Sequence, residues 1–297
     1  MDNVTLGFVL VTISGLCTVV GASLVLCTKC VILQNKLILA SSLGLSSGVM
    51  LYVSFVEIIG KSMGAFEEAG VRGDSGSGLV YLWGTLCFFG GVILMMMVDK
   101  LVHCLDRDHA KRGDIISQNT NVLDGSGRKL KKMGLMTALA IGIHNFPEGL
   151  ATFVATLQDP NIGAALAIAI GIHNIPEGLC VSIPIYYASG SRMRALGWAL
   201  LSGLTEPLGA LIGYVVLSEH MGPMAFGIVF GFVGGMMVYI CLHELIPMAY
   251  RYDPHNKVTI HSIILGMVIM ATSLVLFVVD KDPTSISSCS NVSLSSG

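Results

Sequence analysis

"IGIHNFPEGL" occupies residues 141–150 and "IGIHNIPEGL" occupies 170–179, so the chain writes one His-Asn-x-Pro-Glu-Gly phrase twice, with His144 and His173 29 residues apart. Both copies lie inside runs of Ala, Ile, Leu, Val and Gly. In an α-helix, residues four apart project about 40° from one another and successive residues about 100°. His144 and Glu148 therefore share a face, with Asn145 on the other side of the glutamate. Glu148 is placed to bridge two adjacent cation sites, and His173, Asn174 and Glu177 repeat the pattern. The link between the two runs is only about residues 158–161, so the helices are antiparallel neighbours and the two motifs are expected to face each other at mid-depth. Pro147 and Pro176 lack an N–H, which bends each helix and frees the carbonyls of Ile143 and Ile172. Gly149 and Gly178 open room for another helix to approach.

The rest of the chain sets the solvent around these motifs. Its 297 residues are 53% hydrophobic and 12% charged, with a mean hydropathy of +0.76, too apolar for a soluble domain to cover its surface. Runs long enough to cross about 30 Å of hydrocarbon fall at about 6–27, 37–60, 79–98, 133–157, 162–188, 193–217, 224–249 and 258–279. The expected fold is an all-α, polytopic, eight-helix membrane protein forming one domain over 1–297, with a polar cytosolic loop at about 103–132. With the N-terminus outside, the inward loops hold 14 Lys and Arg and the outward segments only Lys61, Arg72 and Lys281, a strong positive-inside bias. Both termini are thus expected outside, where sequons at Asn3 and Asn291 also fall. The first run follows only Met-Asp-Asn-Val-Thr and lacks the basic start of a cleaved signal. Segregated charge with a net of −2 argues against nucleic-acid binding. The cysteines lie mostly within apolar runs and read as small core residues.

Five of the eight glutamates, Glu57, Glu148, Glu177, Glu206 and Glu244, fall within these runs, as do His144, His173 and His243, and no Lys or Arg lies deep among them. Each ionised group at that depth costs roughly 2.5–3.5 kcal/mol even on lenient scales. A network of neutral carboxyls and imidazoles is the structural alternative, but it requires all five acids to stay protonated. A bound cation is the simpler reading. Glu206 and His243-Glu244 each stand close before a proline, in "LTEPLGALIG" (204–213) and "LHELIP" (242–247). Gly209, Gly213, Gly227, Gly231 and Gly235 form small-residue ridges suited to close helix contact. "HCLDRDH" (103–109) reads as a solvated loop, with loose metal capture as the alternative.

Eight spans, a long loop between the third and fourth, and the paired motifs resemble the ZIP family of divalent-metal transporters, in its branch of broad specificity. The resemblance implies a binuclear centre between the fourth and fifth spans. His144, Glu148, His173 and Glu177 would form its first site, and Asn145, Glu148, Asn174, Glu177 and Glu206 its second. It also implies path residues on the second and seventh spans, matched here by Met50, Glu57, His243 and Glu244. Some family members have a different ligand at the position of His173. The nitrogen donors here favour zinc, iron(II), cobalt or cadmium over magnesium or calcium, and the resemblance adds manganese to the expected cargo. By the same resemblance the chain carries metal into the cytoplasm as substrate, needs no cofactor, sits among lipids as a homodimer, and occupies the cell membrane or, as the alternative, an organelle membrane.

Two rivals come from other classes. An intramembrane zinc hydrolase needs H-E-x-x-H, and "HELIP" has Pro247 where the second His belongs. "GLSSG" (44–48) matches G-x-S-x-G but lies within an apolar run, not at a strand-to-helix turn. A sensor that binds without transport needs no run of Glu57, Glu206 and Glu244 through the bilayer. Transport, not catalysis, is the expectation.

Overall fold

The computed structural model describes residues 2–26, 36–71, 78–117, 142–143, 145–217 and 222–281. These form eleven helical segments, with no strand among the described residues: α1 (Asn3–Ser23), α2 (Lys36–Tyr52), α3 (Ile59–Glu68), α4 (Gly78–Ser117), α5 (145–158), α6 (Pro160–Ser189), α7 (Arg192–Gly203), α8 (Thr205–Leu217), α9 (Pro223–Ile240), α10 (Ile246–Tyr252) and α11 (Thr259–Lys281). Among the described residues, six stretches are long and apolar enough to cross a membrane: Asn3–Leu26, Lys36–Glu68, Gly78–Leu101, Pro160–Tyr187, Arg192–Val215 and Pro223–Tyr252. Thr259–Val275 is a shorter apolar helix. Of the expected fourth span, only 142–143 and 145–157 lie among the described residues.

Local chemistry sets the ends of several segments. Asp159 accepts from Asn161 N–H at 2.8 Å and Pro160 opens α6, while Gly190 closes it with φ 64°, a left-handed conformation that costs glycine little. Ser191 then caps α7 through Arg194 N–H. Ahead of α11, the Asp253 carboxylate accepts from the N–H groups of Lys257, Val258 and Thr259 and from the Thr259 hydroxyl. Burial pushes this carboxyl up, but the four donors outweigh it and hold it at about 2. The folded value lies below the unfolded value of about 3.9. The cap is therefore complete above that pH and is lost as pH falls through 2.

Prolines and π-turns interrupt three of the expected spans. Pro207 has no N–H to return to the Gly203 carbonyl, and the sixth span breaks at Leu204 into α7 and α8. Pro247 likewise cannot serve the His243 carbonyl, and Cys241–Leu245 becomes a π-turn whose following N–H, of Ile246, reaches Cys241 O. Val53–Ile58 is a second π-turn, between α2 and α3, with no proline to cause it. Within the expected cytosolic connection of about 103–132, α4 continues as helix to Ser117. Lys, Arg and Asp there are compatible with a helix that leaves the membrane, and no proline stops it.

The helices pack in two groups. α1 lies against α6, α7 and α8, while α2 packs on α10 and α11, and α9 on α3 and α4; α2 also touches α6 and joins the groups. α6 is the central element, with 78% of its apolar window buried against 28% for α4. α4 turns Leu82, Trp83, Leu86, Phe89, Ile93 and Met97 outward, as a lipid-facing helix must. Glycines set the closest approaches. A Cβ on Gly149 would overlap Glu206 O, on Gly178 Thr18 O, on Gly209 Phe146 O and on Gly235 Phe88 O. An apolar cavity of about 460 Å³ separates α4 and α9 from α5, α7 and α8, lined among others by Leu94, Met95, Phe146, Trp198, Leu201 and Met236.

Candidate metal centre

The two repeated motifs meet. His173 Nε2 lies 3.1 Å from Glu148 Oε1, and the ligating atoms of Glu148, His173 and Glu177 all fall within 4.8 Å of one another. All three residues are 0% exposed. His173 Nδ1 sits 3.1 Å from the Ala169 carbonyl. A carbonyl can only accept, so Nδ1 carries the hydrogen and Nε2 points its lone pair at Glu148. A proton must then sit between Nε2 and the carboxylate, and a metal ion can replace it. This is the arrangement by which a backbone carbonyl orients a metal-binding histidine. Ser46 of α2 donates to the His173 carbonyl at 3.0 Å, tying the centre to the neighbouring group.

The oxygen-rich side is equally closed. Asn145, Asn174 and Glu206 are 0% exposed. Asn145 Nδ2 donates to the Ser202 carbonyl at 3.5 Å, and Asn174 Nδ2 donates a short hydrogen bond to Glu206 Oε1. Glu206 reaches the centre because the break at Leu204 turns the start of α8 toward α5, where Gly149 admits its backbone. Among the described residues, buried Asn174 Oδ1 and Glu206 Oε2 have no hydrogen-bond partner. Orphaned oxygens in a dry interior are costly unless something else binds them. His144 lies outside the described residues, as do the side chains of His103, Cys104, Asp106, Asp108 and His109.

The remaining sequence-named positions scatter. Met50 is fully buried in the core on α2. Glu57 is not isolated from basic charge, as the sequence reading had it: Lys61, one turn along, comes to 3.8 Å in a partly exposed ion pair beside an open pocket also lined by Gln158. An i,i+4 pair crosses the expected membrane boundary that separated the two in sequence. His243 and Glu244 group with Asp99 of α4, which the sequence reading missed. His243 Nε2 is 4.0 Å from Asp99 Oδ2 and its ring stacks on Tyr239 at 5.0 Å, whose hydroxyl donates to Asp99 at 3.3 Å. Asp99 closes an oily run beside Lys100 and carries no sequence signal that separates it from an interfacial residue. Sequence reading also passed over Cys27-Thr28-Lys29-Cys30, a Cys-x-x-Cys pair that lies outside the described residues.

The family model described as the ZIP zinc transporter matches residues 106–274. The chain belongs to the ZIP family. It is 46% identical over 271 residues to the zinc transporter ZupT of Streptococcus mutans, which covers 91% of this chain and 97% of that one. The ZupT zinc transporter of Chlorobium chlorochromatii is 45% identical over 276 residues, 93% of this chain and 99% of its own. That of Corynebacterium glutamicum is 47% identical over 274 residues, with 91% and 98% covered. ZIP-family proteins are transporters, not enzymes, which removes the hydrolase reading. The chain is an integral, multi-pass membrane protein.

Proposed function

We propose that this ZIP-family protein carries divalent transition-metal ions, zinc foremost, into the cytoplasm through a binuclear centre on α5 and α6. The observation that carries the reading is the buried, three-ligand cluster of Glu148, His173 and Glu177, made by both copies of one motif, in a family whose relatives are named zinc transporters. His144, four residues before Glu148 in the first motif, completes the nitrogen-bearing site. Asn145, Asn174 and Glu206 with the two bridging carboxylates form the oxygen-only site beside it. Iron(II), manganese, cobalt and cadmium suit such mixed donors as well. Glu57 at one end and Asp99, His243 and Glu244 at the other supply further ligands along the path.

The energetics need no nucleotide. Two charges falling through 100 mV, inside negative, release about 4.6 kcal/mol. The two helix groups, parted by the apolar cavity near α4 and α9, provide surfaces along which the site-bearing helices shift against the others. Eight spans with both termini outside complete the topology. The protein is proposed to work as a homodimer in the cell membrane. Labelled zinc accumulating in sealed vesicles that contain the protein, and not in protein-free vesicles under the same inward gradient, is the expected result. Zinc that binds to the protein without crossing would replace transport by a sensor role.

The orientation has its own test. A cysteine at Arg194, exposed at the start of α7, is expected to react with an impermeant thiol reagent only from the cytoplasmic side. One at Glu67, exposed near the end of α3, is expected to react only from outside. Labelling both from the same side of intact cells would rule out the eight-span arrangement. Native cysteines are replaced first, since Cys17, Cys87, Cys180 and Cys241 are free.

A further inference from the structure

The Asn174 amide nitrogen is the meeting point of three oxygens. It lies 3.1 Å from the Ser14 carbonyl, 3.4 Å from the Ser14 hydroxyl, and in a short hydrogen bond with Glu206 Oε1. Its two N–H bonds are shared among three oxygens, and the Ser14 hydroxyl also lies within hydrogen-bonding reach of the Glu206 carboxylate. The NH2 group stands in for a cation at the focus of an oxygen cage, and two of the three acceptors come from one residue of α1. Ser14 is 1% exposed, and Asn174 and Glu206 are 0% exposed. The backbone fixes α1 at this level, because a Cβ on Gly15 would overlap Gly203 O and come within 3.5 Å of Glu206 Cδ. One turn further along the same face, the buried Thr18 hydroxyl also lacks a partner among the described residues.

We infer that Ser14 supplies oxygen ligands, its hydroxyl above all, to the second cation site formed by Asn174 and Glu206. The inference rests on the reading of those residues as an oxygen-donor site. When a cation takes the focus, the Asn174 amide turns over and offers Oδ1, an atom buried without a hydrogen-bond partner among the described residues. Glu206 Oε1, the Ser14 hydroxyl and the Ser14 carbonyl then face the ion directly. A neutral hydroxyl is a hard donor, and it extends the site's acceptance toward cations that prefer oxygen, such as manganese. α1, which carries neither repeated motif, becomes part of the metal centre.

The test is equilibrium titration of the purified full-length protein with zinc, manganese and cadmium. Ser14→Ala is expected to weaken the oxygen-site step about tenfold or more, the effect typical of losing a metal-site partner, and to leave the His173-containing step in place. Ser14→Thr keeps the hydroxyl and is expected to restore binding to within about threefold of wild type. Ser14→Cys exchanges a hard donor for a soft one and is expected to raise cadmium over manganese by about tenfold. Wild-type affinities at both steps in Ser14→Ala, in protein that elutes and melts as wild type does, would overturn the inference. So would Ser14→Thr binding as weakly as Ser14→Ala. Should the alanine form fail to fold, an unchanged metal order in Ser14→Cys overturns it instead. Glu148→Ala run beside these separates the two levels: if it leaves both steps intact, the metal-centre reading itself fails. If it removes them while the Ser14 variants change nothing, only the role of Ser14 falls.

Discussion

Glu148→Ala is expected to bring zinc uptake down to the background of protein-free vesicles, a loss of roughly a hundredfold or more, at the upper end of what losing metal-site partners costs. Its carboxylate touches His173 Nε2 at 3.1 Å and lies within 4.8 Å of Glu177's ligating oxygen, and it is shared by both proposed sites. Removing it leaves His173 with no anionic neighbour on that side and strips a ligand from each ion at once. Glu177→Ala is expected to match it, since that residue holds the equivalent place in the second copy. Glu206→Gln keeps size and one oxygen donor while deleting a charge from one site alone, so uptake persists with weaker binding and an altered order of metals. The double change His144→Ala and His173→Ala removes the nitrogen donors that favour zinc and is expected to abolish zinc uptake. Rates are compared at matched amounts of membrane-inserted protein. Uptake that survives the double histidine change but disappears in Glu206→Gln would reverse the assignment of the main transport site.

Gly178→Ala, a single added methyl, is expected to be nearly as damaging by a route that involves no ligand. The new Cβ would overlap Thr18 O and come within 2.8 Å of Ala22 N, both backbone atoms of α1. Over-packing among side chains typically costs about 1–3 kcal/mol because they can yield. Helix backbone cannot, so α1 must move off α6 as a body. That displacement passes beside Glu177 and carries Ser14 and Gly15 away from Asn174 and Glu206. The expected result is a protein that reaches the membrane at low yield, melts well below wild type in detergent and takes up no measurable zinc. Gly197→Ala is the control, since a Cβ there meets nothing within 4 Å inside α7. It is expected to be neutral or to stabilise by up to about 1 kcal/mol, the helix-propensity gain of Ala over Gly. Equal melting temperatures for the two variants would show that the close approach of α1 and α6 is not needed for stability.

What the sequence made legible follows from how local each signal was. The doubled motif contains its own geometry: four-residue spacing and a short link between copies were enough to expect Glu148, His173 and Glu177 in contact. Pro207 and Pro247 likewise announced the interruptions at Leu204 and at Cys241–Leu245, because a missing N–H acts within one turn. The other π-turn, Val53–Ile58, has no such residue and came without warning. Ser14 stands in "TISGLC", an ordinary apolar context, and only the folded chain sets its hydroxyl against Asn174. Asp99 was lost to its neighbourhood, an acid beside a lysine at the end of an oily run, which reads as an interfacial pair until α9 brings Tyr239 and the π-turn after it brings His243 to it. The helical continuation to Ser117 was not legible because polarity suggests solvent, while solvent and helix are compatible.

The burial of the centre also limits speed. Asn145, Glu148, His173, Asn174, Glu177 and Glu206 all stand at 0% exposure, so an ion held among them has no aqueous way out in this conformation. In the proposed transport, each ion that crosses waits for a helix rearrangement, and such collective motions run on the order of microseconds to milliseconds. Flux per molecule is then clocked by the protein and not by diffusion of the ion. It should level off as external metal rises, fall steeply on cooling, and stay far below the stream that produces discrete steps of electrical current.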